Sequence, residues 1–130
     1  MDKLLHNTQV FKRMCKYRDD IMQSYIAVVC ADVYKITVDG HSRLICAFKK
    51  QNVWIPMDVL AGVTLPGYYT TKIDALQALT KYFKEFLDPK FPHIRINRIE
   101  NLRQMEKELF EVLDENQKVW YNNLVDLCVN

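Results

Sequence analysis

The sequence predicts an α+β fold: a three- to four-stranded antiparallel sheet backed by helices on one face, in the order α-β-β-β-α-(β)-α, with a long C-terminal helix. Apolar residues recur every three or four positions over residues 71–87 and 101–128, as in amphipathic helices. Residues 33–56 instead alternate apolar and polar side chains around Asp39–Gly40, a dipeptide typical of two-residue β-hairpins. With 130 residues, 49% of them apolar, the chain is predicted to form a single domain, residues 1–130.

The first element is predicted to be a helix within residues 1–31, for which Asn7 or Thr8 could supply the N-cap. The end of this helix stays open between positions 23 and 32, because residues 25–30 are rich in β-branched side chains and also fit a strand. The apolar residues of the segment follow steps of three and four, at Val10, Met14, Tyr17, Ile21, Tyr25 and Val28.

A β-meander is predicted over residues 33–56. The first strand turns through Asp39–Gly40, and the chain returns over residues 43–49. A short third strand, residues 53–55, stops at Pro56, because proline cannot donate a ladder hydrogen bond.

The helix at residues 71–87 has the clearest local signal in the chain. Thr71 and Asp74 form a pair similar to a capping box at its start. Its large apolar residues lie on one side, so we expect it to pack across one face of the sheet. Asp88–Pro89 ends the helix, and residues 93–97 are predicted to form a short fourth strand.

The last element is predicted to be one acidic amphipathic helix over residues 101–128. If straight, such a helix rises roughly 40 Å, whereas a compact domain of this size is roughly 36 Å across. One small monomer could therefore cover the apolar stripe only if the helix bends or meets a second chain. The alternative is a break at residues 114–117, which would let two shorter helices fold back on one domain.

The stripe supplies the candidate partner interface. Asn116 lies near its centre, where a single Asn in a coiled-coil seam fixes register and oligomeric state. Trp120 offers a large aromatic anchor. Core packing within one chain is the competing interpretation of the same residues. The full candidate set is Leu109, Phe110, Leu113, Asn116, Trp120, Tyr121 and Leu124.

The net charge of +2 is unevenly distributed along the chain. Residues 1–60 carry nine Lys or Arg against six Asp or Glu, residues 61–100 carry six against four, and residues 101–130 carry three against six. Within one chain, this asymmetry would pair charges at the rim of the last helix. Between chains, it would orient a dimer or attract a charged partner.

No cofactor site, metal site or catalytic constellation is indicated by the sequence. His6, His41 and His93 have no metal-ligand spacing, and the four cysteines include no Cys-x-x-Cys pair. With three glycines, the chain has no Gly-rich phosphate loop. We therefore expect a non-enzymatic protein without cofactors, metals or catalytic residues, and a small enzyme is kept as an alternative.

Nucleic-acid binding is the main alternative function. The element order is similar to that of double-stranded-RNA-binding domains, and Gly67–Ala75 resembles the entry to that family's second helix, where Lys72 would contact phosphate. The run of lysines that the family has at this helix is lacking here. Apart from the resemblance, basic residues around aromatic rings could bind single strands. The candidate contacts are Lys35, Arg43, Lys49, Lys50, Trp54 and Lys72.

Protein binding is the leading hypothesis. We expect a homodimer built by the first and last helices together. A host protein would be a further partner if this is a phage or viral accessory protein, since many of those are similarly small and lack catalytic signatures. Residues 1–6 lack the apolar core of a signal peptide, and no apolar run reaches the ~20 residues that span a bilayer. The expected location is the cytoplasm of the producing or host cell.

Overall fold

The computed structural model describes residues 1–129; Asn130, the last residue of the predicted domain, lies outside them. The described residues form a five-stranded antiparallel meander, in which strands adjacent in the chain are adjacent in the sheet, followed by three helices. The predicted α+β class with an antiparallel sheet is confirmed, although the sheet has five strands rather than three or four. The elements are β1 (Asp2–Arg18), β2 (Ile21–Val38), β3 (His41–Lys50), β4 (Val53–Asp58), β5 (Val63–Thr64), α1 (Lys72–Phe86), α2 (Pro92–Val112) and α3 (Glu115–Val129).

The predicted N-terminal helix is wrong: residues 1–31 form β1 and more than half of β2. The two strands join at Asp19 and Asp20, whose φ angles of 53° and 63° give a tight hairpin turn that aspartate tolerates. Both strands carry apolar side chains at odd and even positions. Some of these residues are therefore three or four positions apart, which is the spacing that predicted a helix. The strand alternative for residues 25–30 is therefore confirmed.

Helices cover both faces of the sheet, whereas we expected them on one face. The reason lies in β3, a strand buried along most of its length, whose alternating side chains point to opposite faces. Leu44, Cys46 and Phe48 belong to an apolar cluster that α3 completes. Ile45 and Ala47 belong to a second cluster, which α1 completes.

The structure confirms the predicted helix at residues 71–87 to within one residue at each end. The Thr71 hydroxyl oxygen accepts the backbone N–H of Asp74 at 3.2 Å, as expected of an N-cap. The helix packs on the sheet as predicted, through the buried side chains of Ala75, Leu76, Leu79 and Phe83.

The predicted continuous helix over residues 101–128 is wrong, because the chain breaks next to Asp114. Asp114 and Gln117 cap each other: Asp114 Oδ1 accepts the N–H of Gln117 at 2.8 Å, and Gln117 Oε1 accepts the N–H of Asp114 at 3.0 Å. This pair ends α2 and starts α3. The break that the sequence left open is therefore present.

α2 crosses between the two apolar clusters. It starts with Pro92, which favours the first position of a helix, so residues 93–97 are helical and the predicted fourth strand there is wrong. Farther along, Leu102 packs in the cluster of α1 and Leu109 in the cluster of α3. The apolar stripe is thus covered by the chain's own sheet.

Candidate functional site

The structure places most of the predicted partner interface in the core of the chain. Leu109 and Leu124 have no solvent-accessible surface, and Leu113 and Tyr121 are also buried. The Tyr121 hydroxyl donates a 2.7 Å hydrogen bond to the Leu60 carbonyl oxygen, which fixes the ring inside. The core-packing interpretation therefore holds for these four predicted residues, which stabilise the fold.

The other three predicted interface residues lie at the rim of this core. Trp120 is half-buried, and its Nε1 donates a 2.9 Å hydrogen bond to the carbonyl oxygen of Gln9. Phe110 is half-buried beneath the ammonium of Lys118, 5.3 Å from its ring centre. Asn116 is exposed in the first turn of α3, outside any buried seam. These three residues leave no continuous apolar stripe for a second chain.

A different apolar surface is exposed at the end of the β1–β2 hairpin, residues 14–25, which we call the arm. Every residue from 15 to 25 is exposed, although the strands stay paired as far as Arg18 and Ile21. The five strand residues on each side of the turn extend roughly 16 Å at ~3.3 Å per residue. The arm is therefore regular β-structure with both faces open to solvent.

The arm combines large apolar side chains with charges of both signs: Lys16 and Arg18 lie in its first strand, and Asp19 and Asp20 form its turn. Tyr17 and Met22 form a cross-strand pair on one face, 76% and 57% exposed. Ile21, next to the turn, is 64% exposed. The Lys16 ammonium lies 5.3 Å from the ring centre of Tyr25. Apolar side chains of this size, grouped and exposed, are typical of interaction surfaces.

The root of the arm is fixed to the body of the chain. The N–H of Arg13 donates a 2.7 Å hydrogen bond to the carbonyl oxygen of Gly62. The Arg13 guanidinium lies 2.8 Å from a carboxylate oxygen of Glu108 in α2. Gly62 has a φ of +68°, and a Cβ there would lie 2.7 Å from the carbonyl oxygen of Phe11, so glycine permits the close approach of β1.

Arg43, a predicted nucleic-acid contact, is buried beneath α2, so that prediction is wrong. Its Nε and Nη2 donate to the two carboxylate oxygens of Asp58 at 2.8 and 2.7 Å, and its Nη1 donates to Glu106. Burial alone would lower the pKa of Arg43, but the two carboxylates raise it above its ordinary value. The guanidinium therefore stays charged and binds Asp58 and Glu106 inside the fold, where a nucleic acid cannot contact it.

A groove of about 500 Å³ opens where β2 and β3 separate. Across the described residues these strands pair only from Tyr34–Ile45 to Val38–His41. Residues 29–32 of β2 and residues 47–49 of β3 line the groove. Its other walls come from β1, β4 and the start of α1.

The Asp32 carboxylate organises one side of the groove. It accepts the backbone N–H of Asn7 at 2.8 Å and also binds the Lys72 ammonium. Lys3 Nζ and His6 Nδ1 lie 3.1 and 3.0 Å from its oxygens. The hydrogen bond from Lys72 is the main reason that the pKa of Asp32 lies well below its ordinary value. Asp32 is thus a fixed anion with several nitrogen groups around it.

Half of the predicted nucleic-acid contacts come together in this groove: Lys49, Trp54 and Lys72 line it. Lys35 lies in a separate depression, and Lys50 is exposed at the end of β3. The six predicted residues therefore form no single nucleic-acid surface. The three that do meet combine positive charge with an aromatic wall, an arrangement that can hold an anion carrying a ring.

Within residues 1–129, no group of three or more His, Cys, Asp or Glu side chains is placed to hold a metal ion. None of the helices described is long and apolar enough to cross a membrane. No known protein family, curated protein or solved structure matches the chain. The geometry of the arm and of the groove is therefore what bears on function.

Proposed function

We propose that the chain is a protein-binding protein that forms a homodimer, in which the arm of each copy lies on the acidic outer surface of α2 and α3 of the other. The observation that carries this proposal is the run of eleven consecutive exposed residues, 15–25, in paired strands. Tyr17, Ile21 and Met22 each expose more than half of their surface within it. An apolar ribbon of this kind loses contact with water by binding another chain.

Charge complementarity favours a second copy as the partner. The β1 strand of the arm carries exposed Lys16 and Arg18, next to Asp19 and Asp20 of the turn, while Glu111 and Glu115 are exposed on either side of the α2–α3 break. The strand, rather than the turn, is therefore the part of the arm that would face the glutamates. Opposite charges orient two surfaces and speed their encounter. The ion pair between Arg13 and Glu108, at the root of the arm, shows the same complementarity within one chain.

The acceptor surface also offers apolar contacts. Val112 at the end of α2 and Val119 in α3 are 45% and 64% exposed. Val112 directly follows Glu111, and Val119 lies one helical turn after Glu115, so charged and apolar surface alternate there as they do on the arm. A two-fold axis would form this contact twice, and the two contacts would share the roughly 1,200 Å² that a stable interface buries. As in the dimer expected from the sequence, the N-terminal and C-terminal regions of the chain form this interface. The exposed arm, however, takes the place of the apolar stripe, which is buried.

Sedimentation velocity over a range of protein concentrations tests the proposal. We expect a reversible monomer–dimer equilibrium in the unmodified chain. Changing Tyr17→Thr together with Met22→Thr should weaken dimerisation at least about tenfold, because the apolar anchors are lost while threonine still favours a strand. The matched control is Tyr68→Thr, since Tyr68 is 87% exposed outside the arm; it should dimerise like the unmodified chain.

A charge exchange identifies the two surfaces that meet. Lys16→Glu with Arg18→Glu, and separately Glu111→Lys with Glu115→Lys, should each weaken the homodimer because like charges then face each other. In a heterodimer of these two variants both contacts again pair opposite charges, one as in the unmodified chain and one with the signs exchanged. An equimolar mixture should therefore form heterodimers. The proposal is wrong if the unmodified chain stays monomeric up to about 100 µM, or if the arm variants dimerise normally.

A further inference from the structure

We propose that the groove between β2 and β3 binds a phosphorylated nucleoside, with its phosphate held by Lys72 and Lys49 and its base against Trp54. This site goes beyond the protein-binding role. It uses residues outside both the arm and the acidic surface of α2 and α3. Dimerisation and ligand binding can therefore fail independently of each other.

The charges around the groove favour an anionic ligand. Lys3 and Lys72 both bind the single carboxylate of Asp32, and Lys49 adds a third ammonium. One carboxylate neutralises one ammonium, so positive charge remains around the groove. A concave site with an excess of one charge concentrates ligands of the opposite sign. A phosphate monoester, which carries close to two negative charges, satisfies this excess.

The phosphate-binding side of the groove is held in place before any ligand arrives. The Asp32 side chain is only 11% exposed, and its Oδ1 accepts a 2.8 Å hydrogen bond from the backbone N–H of Asn7. Asn7 has a φ of 44° at an irregular point in the β1–β2 register, and distortions of this kind are common beside binding sites. The Lys72 ammonium is thereby positioned against Asp32 and 5.3 Å from the ring centre of Tyr34. An ammonium has three donors, and donors not used by Asp32 can bind phosphate oxygens.

The part of the groove formed by β3 and β4 suits a planar ring next to an ammonium. Trp54 in β4 is paired with Lys49 in β3, so the indole and the ammonium stand on the same face of the sheet. Val29 and Ala47 add apolar surface to the groove. Any nucleic-acid base can stack on an aromatic side chain, because every base has a flat aromatic face. The volume of about 500 Å³ is that of a small-molecule site and suits one nucleotide.

A phosphorylated nucleoside could reach the groove as a free nucleotide or as the 5′ end of a strand. Both sources have the same phosphate and ring, so the groove recognises the same chemistry in each. Adenosine monophosphate and a short oligonucleotide with a 5′ phosphate are therefore the two probes. Tighter binding of the oligonucleotide would assign the site to strand ends, and equal or weaker binding would assign it to free nucleotides.

Fluorescence of Trp54 gives the readout, in a Trp120→Phe background because the chain has two tryptophans. We expect adenosine monophosphate at low salt to quench this emission with a Kd of about 1 mM or tighter. Adenosine and inorganic phosphate should each bind at least about tenfold more weakly, since each occupies half of the site. Inorganic phosphate binding as tightly as the nucleotide would overturn the assignment of the base to Trp54.

Three variants test the residues. Lys72→Gln and Lys49→Gln should each weaken nucleotide binding about tenfold, and the matched control, Lys81→Gln on the exposed side of α1, should not. Asp32→Asn should tighten it several-fold, because the carboxylate that competes with phosphate is gone while the amide oxygen can still accept the N–H of Asn7. Absence of quenching at about 10 mM nucleotide in low salt, or unchanged affinity in both lysine variants, would overturn the proposal.

Discussion

The arm and the C-terminal helical hairpin both contain apolar and charged residues in alternation, but the apolar residues are exposed in one and buried in the other. Both mix aromatic and aliphatic residues with charged ones, yet Leu109 and Leu124 are fully buried while Tyr17 and Ile21 are mostly exposed. The helices reach the sheet because the cap formed at Asp114 lets α3 fold back. The two strands of the arm pair with each other beyond the edge of the body. Apolar spacing therefore does not by itself show which surface the chain buries, because the turns decide whether a segment folds back on the sheet.

The largest effect should follow from removing part of the buried stripe. Leu109→Ala should lower the free energy of unfolding by about 2–5 kcal/mol, because it leaves a cavity where the side chain has no exposed surface. Urea denaturation, at concentrations where the chain is monomeric, measures this. The matched control is Val119→Ala, an exposed position on α3, which should change stability by less than about 0.5 kcal/mol. Equal effects at both positions would contradict the burial described here.

The junction between arm and body should be the next most sensitive region. Gly62→Ala should destabilise the fold by about 1–3 kcal/mol, since its φ is +68° and the added Cβ would lie 2.7 Å from the Phe11 carbonyl oxygen and 2.9 Å from Leu109. Gly40→Ala serves as the control, because Gly40 also has a positive φ but open space around it. Thermal unfolding of the two variants should show a clearly larger loss at Gly62. A loss at Gly40 as large as that at Gly62 would remove the argument for close approach.

Asp32 should give a pH-dependent effect. Folding lowers the pKa of its carboxyl, chiefly through the hydrogen bond from Lys72, so the ionised group stabilises the folded state above its ordinary pKa and this stabilisation disappears as the pH falls. Asp32→Asn should cost about 1–3 kcal/mol at neutral pH, and the difference should shrink below about pH 4. Urea titrations of both proteins at neutral and acidic pH measure the difference. A difference that does not depend on pH would contradict the ion cluster.

The smallest effect on stability should come from the tip of the arm. Tyr17→Thr and Met22→Thr should each change the free energy of unfolding of the monomer by less than about 0.5 kcal/mol, because both side chains are mostly exposed. Urea denaturation at low protein concentration checks this. A large loss of stability there would mean that the arm packs on its own chain.

The sequence predicted the elements whose signals are local. Thr71 with Asp74 identified α1, and Asp39–Gly40 identified the β2–β3 turn, where both residues have positive φ in the structure. The arm was missed because its strands carry apolar side chains on both faces. Asp19–Asp20 was the available turn signal there. The pair Asp114 and Gln117, with capping-box spacing, likewise signalled the break in the last helix.

The groove was only partly predictable. Lys49 and Trp54 face each other across a short turn, so a hairpin register places them together. Asp32 and Asn7 meet through the pairing of β1 with β2, although they are 25 positions apart in sequence. Because residues 1–31 were predicted to contain a helix, the sequence could not predict that these two residues would meet. The buried Arg43 was misassigned for a related reason, because its partner Glu106 comes from a helix far along the chain.

Hydrogen–deuterium exchange at low and high protein concentration tests most directly whether the arm, rather than the apolar stripe, mediates association. We expect the amides of residues 14–25 to exchange more slowly as the concentration rises, while those around Leu102 and Leu109 exchange equally slowly throughout. If the arm exchanges at the same rate at both concentrations and the amides around those leucines become protected instead, the stripe mediates association and the arm does not.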